Sequence, residues 1–399
     1  MILHVACLPF PSPQGTQAAI DAMLRASASV GRDPHLLTYA HGAYETEANY
    51  AIHRIPDFPK LRSLRSGPSW GKVVLDARCV LETRRLARAL RPSAVVAHHI
   101  EAAVAALTAR VAPVYYVAHT SLPRELPVYF PRIPTRPVIA IASEVEARVC
   151  VQAAGVAAVA PVLTTLLGEG TRYLPVPWNA RSTIDAPTRA RARAGLALPR
   201  DAQVCLYAGN LDRYQGWECL VEAVDLLRRT HPRAILLLAT ESEPGPARIE
   251  AERRGVADRT RFCRLDSERA RAFAHAASDL TWVPRRTAGG SPINMLDAFA
   301  RQLPVVAMER ATAGLTVEGA CLVTPNDDAS ALATAARTLL DDGVPATAIS
   351  ARATRYLETE HDAASFTRAM RELLGEPRPR LAAKRAGRPR SEAGAIRAR

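Results

Sequence analysis

The sequence predicts an α/β protein of two doubly wound, Rossmann-like domains that face each other across a cleft. Three observations carry this expectation. Short apolar runs alternate with helix-period patterns twice, once on each side of Pro175-Val176-Pro177, as in two parallel sheets wrapped by helices. The segment Thr281–Ala307, TWVPRRTAGGSPINMLDAFARQLPVVA, reads as a strand, a glycine loop and a helix start, which presents free N–H groups and a positive dipole end to an anion. The chain has 399 residues, 48% of them hydrophobic, enough for two cores of ordinary size.

Taken in order, Ile2–Leu8 reads as a strand, followed by the loop PFPSPQGTQ and a helix that Thr16 can cap and that runs to about Val30. His35–Tyr39 is the second strand, and Gly42–Gly67 is rich in loop residues. Trp70–Leu90 reads as a helix, Ala94–His98 as a strand, Glu101–Arg110 as a helix and Val114–Ala118 as a strand. Prolines 123, 127, 131, 134 and 137 predict a long active-site loop. Ser143–Ala153, Ala157–Ala160 and Pro161–Gly168 then read as helix, strand and helix. These elements form a first domain over residues 1–175, on the acceptor side of the cleft.

The second domain, residues 176–375, opens with the Arg- and Ala-rich stretch Ala180–Gly195. Strands are expected at Gln203–Ala208, Ala234–Ala239, Thr260–Cys263, Leu280–Val283, Pro304–Ala307 and Glu318–Val323. Helices are expected at Trp217–Arg229, Pro246–Arg254, Glu268–Ala276, Pro292–Gln302 and Ala329–Asp341. A last helix near Ala363–Leu374 crosses back toward the first domain. In such sheets ligands sit beyond the carboxyl ends of the strands, so Pro9–Gln17 and Arg285–Ser291 both face the cleft.

Within the central segment Gly289-Gly290 frees the backbone, Ser291 is a good N-cap and Pro292 suits the first helical position. Asp297 falls on the second turn, where it can accept hydrogen bonds from a sugar hydroxyl. Gly-Gly-Ser-Pro before a helix is also ordinary loop punctuation, so this segment alone does not settle a nucleotide site. No Gly-x-Gly-x-x-Gly follows the first strand and the Walker pattern is absent, which disfavours a dinucleotide dehydrogenase and a P-loop enzyme.

No uninterrupted apolar run reaches the ~18 residues of a membrane span, and Ala153–Leu167 is broken by Gly155 and Pro161. Met1–Leu8 lacks a basic flank and runs into Pro9 and Pro11, unlike a secretory signal. Seven scattered cysteines without a C-x-x-C read as buried thiols of a reducing, cytoplasmic compartment. The net charge of +13 is uneven, because residues 376–399 hold eight Lys or Arg against two Glu. That tail is expected to be disordered. It reads first as a solvated tail, next as a peripheral contact with anionic membrane worth about 1 kcal/mol per basic residue, and last as a minor-groove binder, since KRAGRPR resembles an AT-hook. Nucleic acid is thus the least favoured partner.

Gln14-Gly15-Thr16, His119 at the end of YYVAH, YAGNLDRYQG at 207–216, the central segment and CLVTPNDDASAL at 321–332 stand in one order. That order resembles family 4 retaining glycosyltransferases, in a divergent subgroup with a Gly-Asn-Leu-x-x-Tyr-Gln-Gly loop. The resemblance covers about Met1–Leu374 and implies the GT-B fold. It also implies transfer of a hexose or N-acetylhexosamine from a nucleoside diphosphate sugar to an acceptor hydroxyl of a glycan or lipid-linked acceptor, without metal or cofactor. The implied catalytic residues are His119 on the sugar and Arg213 and Arg286 on the diphosphate. Gly209, Asn210, Gln215, Gly290, Ser291, Pro292 and Ile293 line the donor, and Asp297 binds its ribose. Gln14, Gly15, Thr16 and His99 lie on the acceptor side, with His98 a rival to His99.

Three positions depart from the family's pattern. The first of its two glutamates is Gly289 here, and the Arg and Lys that neutralise the donor diphosphate are Asn210 and Gln215. Two cations are missing where charge develops on the leaving group, and such electrostatic stabilisation is often the largest catalytic contribution. Arg213, Arg285 and Arg286 are nearby substitutes, since Arg offers bidentate donors to phosphate. The losses also motivate two other readings, a non-catalytic binding subunit of the same fold and a sugar-nucleotide epimerase.

Overall fold

The computed structural model describes residues 1–12, 14–42, 48–58, 69–130, 132–179, 185–341 and 343–375. The basic tail 376–399, with its expected disorder and membrane contact, lies outside the described residues.

The first half is built from β1 (Ile2–Ala6), α1 (Gly15–Ser29), β2 (Pro34–Thr38), β3 (Ala51–Arg54), α2 (Trp70–Leu90), β4 (Ala94–His98), α3 (His99–Ala109), β5 (Val114–Ala118), α4 (Leu122–Tyr129), α5 (Thr135–Gln152), β6 (Gly155–Ala158), α6 (Pro161–Leu167) and β7 (Arg172–Tyr173). Its seven strands run parallel in the order β3-β2-β1-β4-β5-β6-β7. The central strands AVVAH and VYYVA are buried along their whole length, as parallel strands covered on both faces must be.

The second half contains α7 (Ala186–Gly195), β8 (Gln203–Ala208), α8 (Glu218–Leu227), β9 (Ala234–Thr240), α9 (Gly245–Arg253), β10 (Thr260–Arg264), α10 (Glu268–Ala277), β11 (Leu280–Val283), α11 (Ile293–Ala300), β12 (Val305–Met308), α12 (Glu309–Thr312), β13 (Leu322–Thr324), α13 (Ala329–Asp341), α14 (Gly343–Glu360) and α15 (Ala363–Gly375). Six parallel strands are ordered β10-β9-β8-β11-β12-β13. The expected pair of doubly wound sheets is therefore present.

Several local expectations need correction. The proline-rich break is helical: α4 carries Pro123 in its first turn, and the α5 N-cap is Pro134. The start of α4 is held by the carboxylate of Glu146 on α5, which accepts from the Leu122 amide at 2.8 Å and from the Ser121 hydroxyl at 3.1 Å. A tertiary cap thus supplies what a proline-rich sequence lacks locally. β3 lies in the stretch read as loop, and most of the remainder of Gly42–Gly67 falls outside the described residues. α14 was not anticipated. The N-cap of α1 is Gln14 instead of Thr16.

The Arg-rich stretch before β8 is a clamp. Arg189 and Arg193 of α7 reach Asp279 at 2.7 and 2.8 Å, and the same carboxylate accepts from the Val204 amide at 2.7 Å. The connection at Val176–Trp178 is tied to the α14–α15 corner, where the Trp178 amide donates to the His361 carbonyl and His361 Nδ1 lies 2.7 Å from the Val176 carbonyl. α15 then packs on α1, β6 and β7 of the first sheet. Phe366, Met370 and Leu373 are buried there, and the Tyr115 hydroxyl donates to the Leu374 carbonyl at 3.3 Å. Because α15 is the last covalent segment to join the two halves, Phe366→Ala is expected to lower unfolding free energy by about 3–5 kcal/mol, read from urea denaturation.

Candidate active site

Loops from the carboxyl ends of both sheets enclose one cleft of about 1140 Å³. From the first half come the β1–α1 loop, the start of α3 and the β5–α4 turn; from the second come the loops after β8, β9 and β11. Gly15 at the tip of α1 faces Ile293 at the tip of α11, so that a Cβ on Gly15 would sit 3.5 Å from the isoleucine side chain. The two helices therefore meet tip to tip across the cleft.

Most residues singled out from sequence do reach this cleft. Gln14, Gly15, Thr16, His99 and His119 line its first-domain wall, and Gly209, Asn210, Gln215, Gly290, Ser291 and Ile293 line the opposite wall. Thr16 Oγ1 and His99 Nε2 are 3.3 Å apart. His119 stacks on His99, with ring centroids 5.1 Å apart. His99 itself is held at φ 70°, an uncommon conformation for a side chain with a Cβ. Burial, and then the neighbouring His99, press the pKa of His119 well below that of a free histidine. It is a neutral imidazole at physiological pH.

Asn210 does not present a free amide. Its Nδ2 donates to the Tyr214 hydroxyl at 3.1 Å and its Oδ1 accepts from the Asp212 amide at 3.3 Å, so it braces the β8–α8 turn. Gln215 Oε1, Arg285 Nε and Ser291 Oγ differ. All three are buried without a hydrogen-bond partner among the described residues, and all three residues line the cleft. Buried polar atoms are rarely left unpaired in a resting protein.

Four assignments move. Arg213 is exposed and outside the cleft lining. Arg286 is 45% exposed and turns away to Glu218 at 3.4 Å and Asp327 at 4.0 Å. The cations that line the second-domain wall are Arg285 and Arg271, with Lys72 and Arg124 on the first-domain side. Arg285 donates through Nη1 to the Gly289 carbonyl at 2.6 Å and so fixes the glycine loop. Pro292 is the N-cap and lies outside the lining, and α11 begins at Ile293, whose amide already bonds to the Ser291 carbonyl at 2.9 Å.

The fourth correction concerns Asp297. It is fully buried beneath the wall, with Arg301 at 3.4 Å and Arg271 and His275 each at 3.6 Å. A ribose in the cleft would meet Arg271 before it met this carboxylate. Glu241, which follows β9, is a further residue of the lining that the sequence did not reveal. Its pKa is raised to about 7 by burial, against the opposing pull of Arg271 and Arg264.

Comparison with known proteins agrees with this geometry. Residues 202–342 match the family described as Glycosyl transferases group 1. The structure resembles sucrose-phosphate synthase from Thermosynechococcus elongatus with a TM-score of 0.77 at 20% identity, over 94% of this chain and 99% of that one. HepE from Anabaena, solved in complex with UDP and glucose, gives 0.71 at 17% identity over 94% and 99%. The fold is GT-B. In sequence, the D-inositol 3-phosphate glycosyltransferase of Kineococcus radiotolerans is 32% identical over 195 residues. That match spans 43% of each chain, less than half the relative's length. The GT-B architecture thus explains why the cleft falls between the sheets, at the carboxyl ends of both.

Asp297→Asn keeps the shape of the buried carboxylate but leaves Glu268 alone to compensate Arg271 and Arg301. A loss of about 3–5 kcal/mol of stability is expected, measured by chemical denaturation; weakened nucleotide binding at unchanged stability would instead restore the ribose role.

Proposed function

We propose that the protein is a retaining glycosyltransferase that moves a hexose or N-acetylhexosamine from a nucleoside diphosphate sugar to an acceptor hydroxyl. The observation that carries this reading is the group of polar residues lining the second-domain wall whose buried polar atoms have no partner among the described residues. Gln215 Oε1, Arg285 Nε and Ser291 Oγ come from the two loops that face the tip of α1, with Arg271 on the same wall. A diphosphate supplies acceptors for the guanidinium and hydroxyl groups, and a sugar hydroxyl supplies a donor for the glutamine oxygen. Arg271 and Arg285 then take over the neutralising role for which Arg213 and Arg286 are misplaced. The match to group 1 glycosyltransferases over 202–342 and the UDP and glucose bound by HepE support the same assignment.

In this mechanism the bond between the anomeric carbon and the diphosphate breaks as the acceptor oxygen bonds to the same face of the sugar. The acceptor proton passes to a phosphate oxygen of the leaving group. Gln14, Gly15, Thr16 and His99 border the space left for the acceptor, and His119 borders the sugar. Closure of the cleft limits hydrolysis by excluding water. The missing Arg and Lys after β8 favour, as a second reading, a non-catalytic subunit that binds nucleotide without turnover.

The deciding experiment is a calorimetric and mass-spectrometric screen of the full chain against UDP-, GDP- and dTDP-sugars, with Gly290→Ala in parallel. Gly290 has φ 66° and a Cβ there would stand 2.6 Å from the His119 carbonyl oxygen, so alanine must open the cleft. Strain of about 1–3 kcal/mol corresponds to a roughly ten- to hundredfold weaker donor. Binding without turnover would move the assignment to the non-catalytic reading, and no binding at all would end the nucleotide-sugar proposal.

Glu241 adds a pH dependence. Its carboxyl is neutral below about pH 7 and ionised above it, so the wall gains one negative charge between pH 6 and pH 8. A nucleotide sugar, whose diphosphate charge is constant over that range, is expected to bind roughly three- to tenfold more weakly at pH 8, the size of a partly screened repulsion at ~10 Å. In Glu241→Gln the affinity is expected to be flat across the same window, as read by calorimetry.

A further inference from the structure

Three histidines form a chain from inside the first sheet to the cleft. His4 lies in β1, His98 ends β4 and His119 follows β5, three strands adjacent in the sheet. His4 Nδ1 is 3.0 Å from His98 Nε2, and His98 Nδ1 is 3.1 Å from His119 Nε2. All three are buried, at 0%, 0% and 3% exposure. His4 and His98 lie outside the cleft lining, whereas His119 is part of it.

We propose that His98, backed by His4, locks the tautomer of His119 so that its ring offers an Nδ1–H donor to the cleft. A contact of 3.0 Å between two imidazole nitrogens needs one proton and one lone pair. Two such contacts in series share one direction, because each neutral ring holds a single N–H. Burial keeps the rings neutral, lowering His4 to about 3, with the Arg32 charge as a second cause, and holding His98 and His119 well below the usual histidine range.

The far end of the chain sets the direction. His4 Nε2 is buried without a hydrogen-bond partner among the described residues. A buried orphan N–H is rarer than an under-used acceptor, and the nearby Arg32 cation favours a lone pair over an N–H at that ring. His4 therefore carries its proton on Nδ1 and donates to His98, which donates in turn from Nδ1 to His119 Nε2. One ring nitrogen of His119 is left for the cleft, and it bears hydrogen. Since the chain ends blindly at His4 Nε2, it fixes an orientation and carries no proton away.

In the transfer reading, on which only this consequence rests, His119 donates to an oxygen of the sugar or the acceptor and does not act as the base. His98 and His4 are positioning residues that work through it. The tautomer can be read without substrate, by long-range nitrogen–proton correlation NMR on the full chain labelled with ¹⁵N-histidine, with His119→Asn to assign the signals. Hydrogen on Nδ1 and a bare Nε2 are expected in the wild type, with the proton moving to Nε2 in His98→Phe. His98→Gln, whose amide can still donate to His119, is expected to restore the Nδ1–H form. A bare Nδ1 in the wild type, or an Nδ1–H form that persists in His98→Phe, overturns the proposal; should that variant not fold, the wild-type spectrum decides alone. Absence of glycosyl transfer would end the functional reading and leave the tautomer result standing.

Discussion

How closely the two sheets approach each other is set by contacts that leave no space for a Cβ. Gly290 and Gly314 belong to the second half, with φ of 66° and 77°, and each lies against backbone of the first. A Cβ at 290 would meet the His119 carbonyl oxygen at 2.6 Å, and one at 314 would meet the Val162 amide nitrogen at 2.9 Å. Backbone at a strand end or at the start of a helix cannot turn aside as the end of a side chain can. The facing tips of α1 and α11, the width of the cleft and the burial of its polar atoms all depend on these approaches. α15 holds the arrangement from behind by packing the last segment of the second half on the first sheet.

Charges of both signs line the space so formed, among them Lys72, Arg124 and Glu125 on the first-domain side and Arg271, Arg285 and Glu241 on the second. The second-domain wall carries Arg271 and Arg285, whereas the ring of His119 opposite is neutral. Arg271 is only 5% exposed, and a guanidinium so buried needs compensation within the protein. Asp297 provides it from beneath, together with Glu268, 3.7 Å from Arg271 and 2.6 Å from Arg301. The carboxylate that the family resemblance assigns to ribose is thus used to hold a cation at the cleft surface. An aspartate, one methylene shorter than the family's glutamate, stays between Arg271 of α10 and Arg301 at the end of α11.

Much of the fold was legible because it rests on patterns that local sequence expresses. Buried parallel strands read as apolar runs, and the glycine loop before α11 announces its own backbone. What failed were features decided by distant partners. α4 was hidden by its prolines because its cap, Glu146, lies on another helix. Arg285 and Arg286 are indistinguishable as letters, yet successive residues point in opposite directions, one into the cleft and the other toward Glu218. Arg271 gave no signal, because its importance comes only from the packing of α10 beneath the loop after β9. Asp297 was placed on the right turn of the right helix and assigned to the wrong side of the wall.

The histidine chain and the arginine wall solve complementary problems. A group beside the reacting sugar must be polar enough to orient oxygen atoms, yet a free base there would compete for the acceptor's proton. In the proposed chain an imidazole whose second nitrogen is taken up by His98 is limited to donation. In the proposed transfer the proton released from the acceptor then travels with the leaving group, toward the wall that carries Arg271 and Arg285. A neutral donor facing Arg271 and Arg285 thus fits the proposed transfer to the same face of the sugar, which needs no separate protein base.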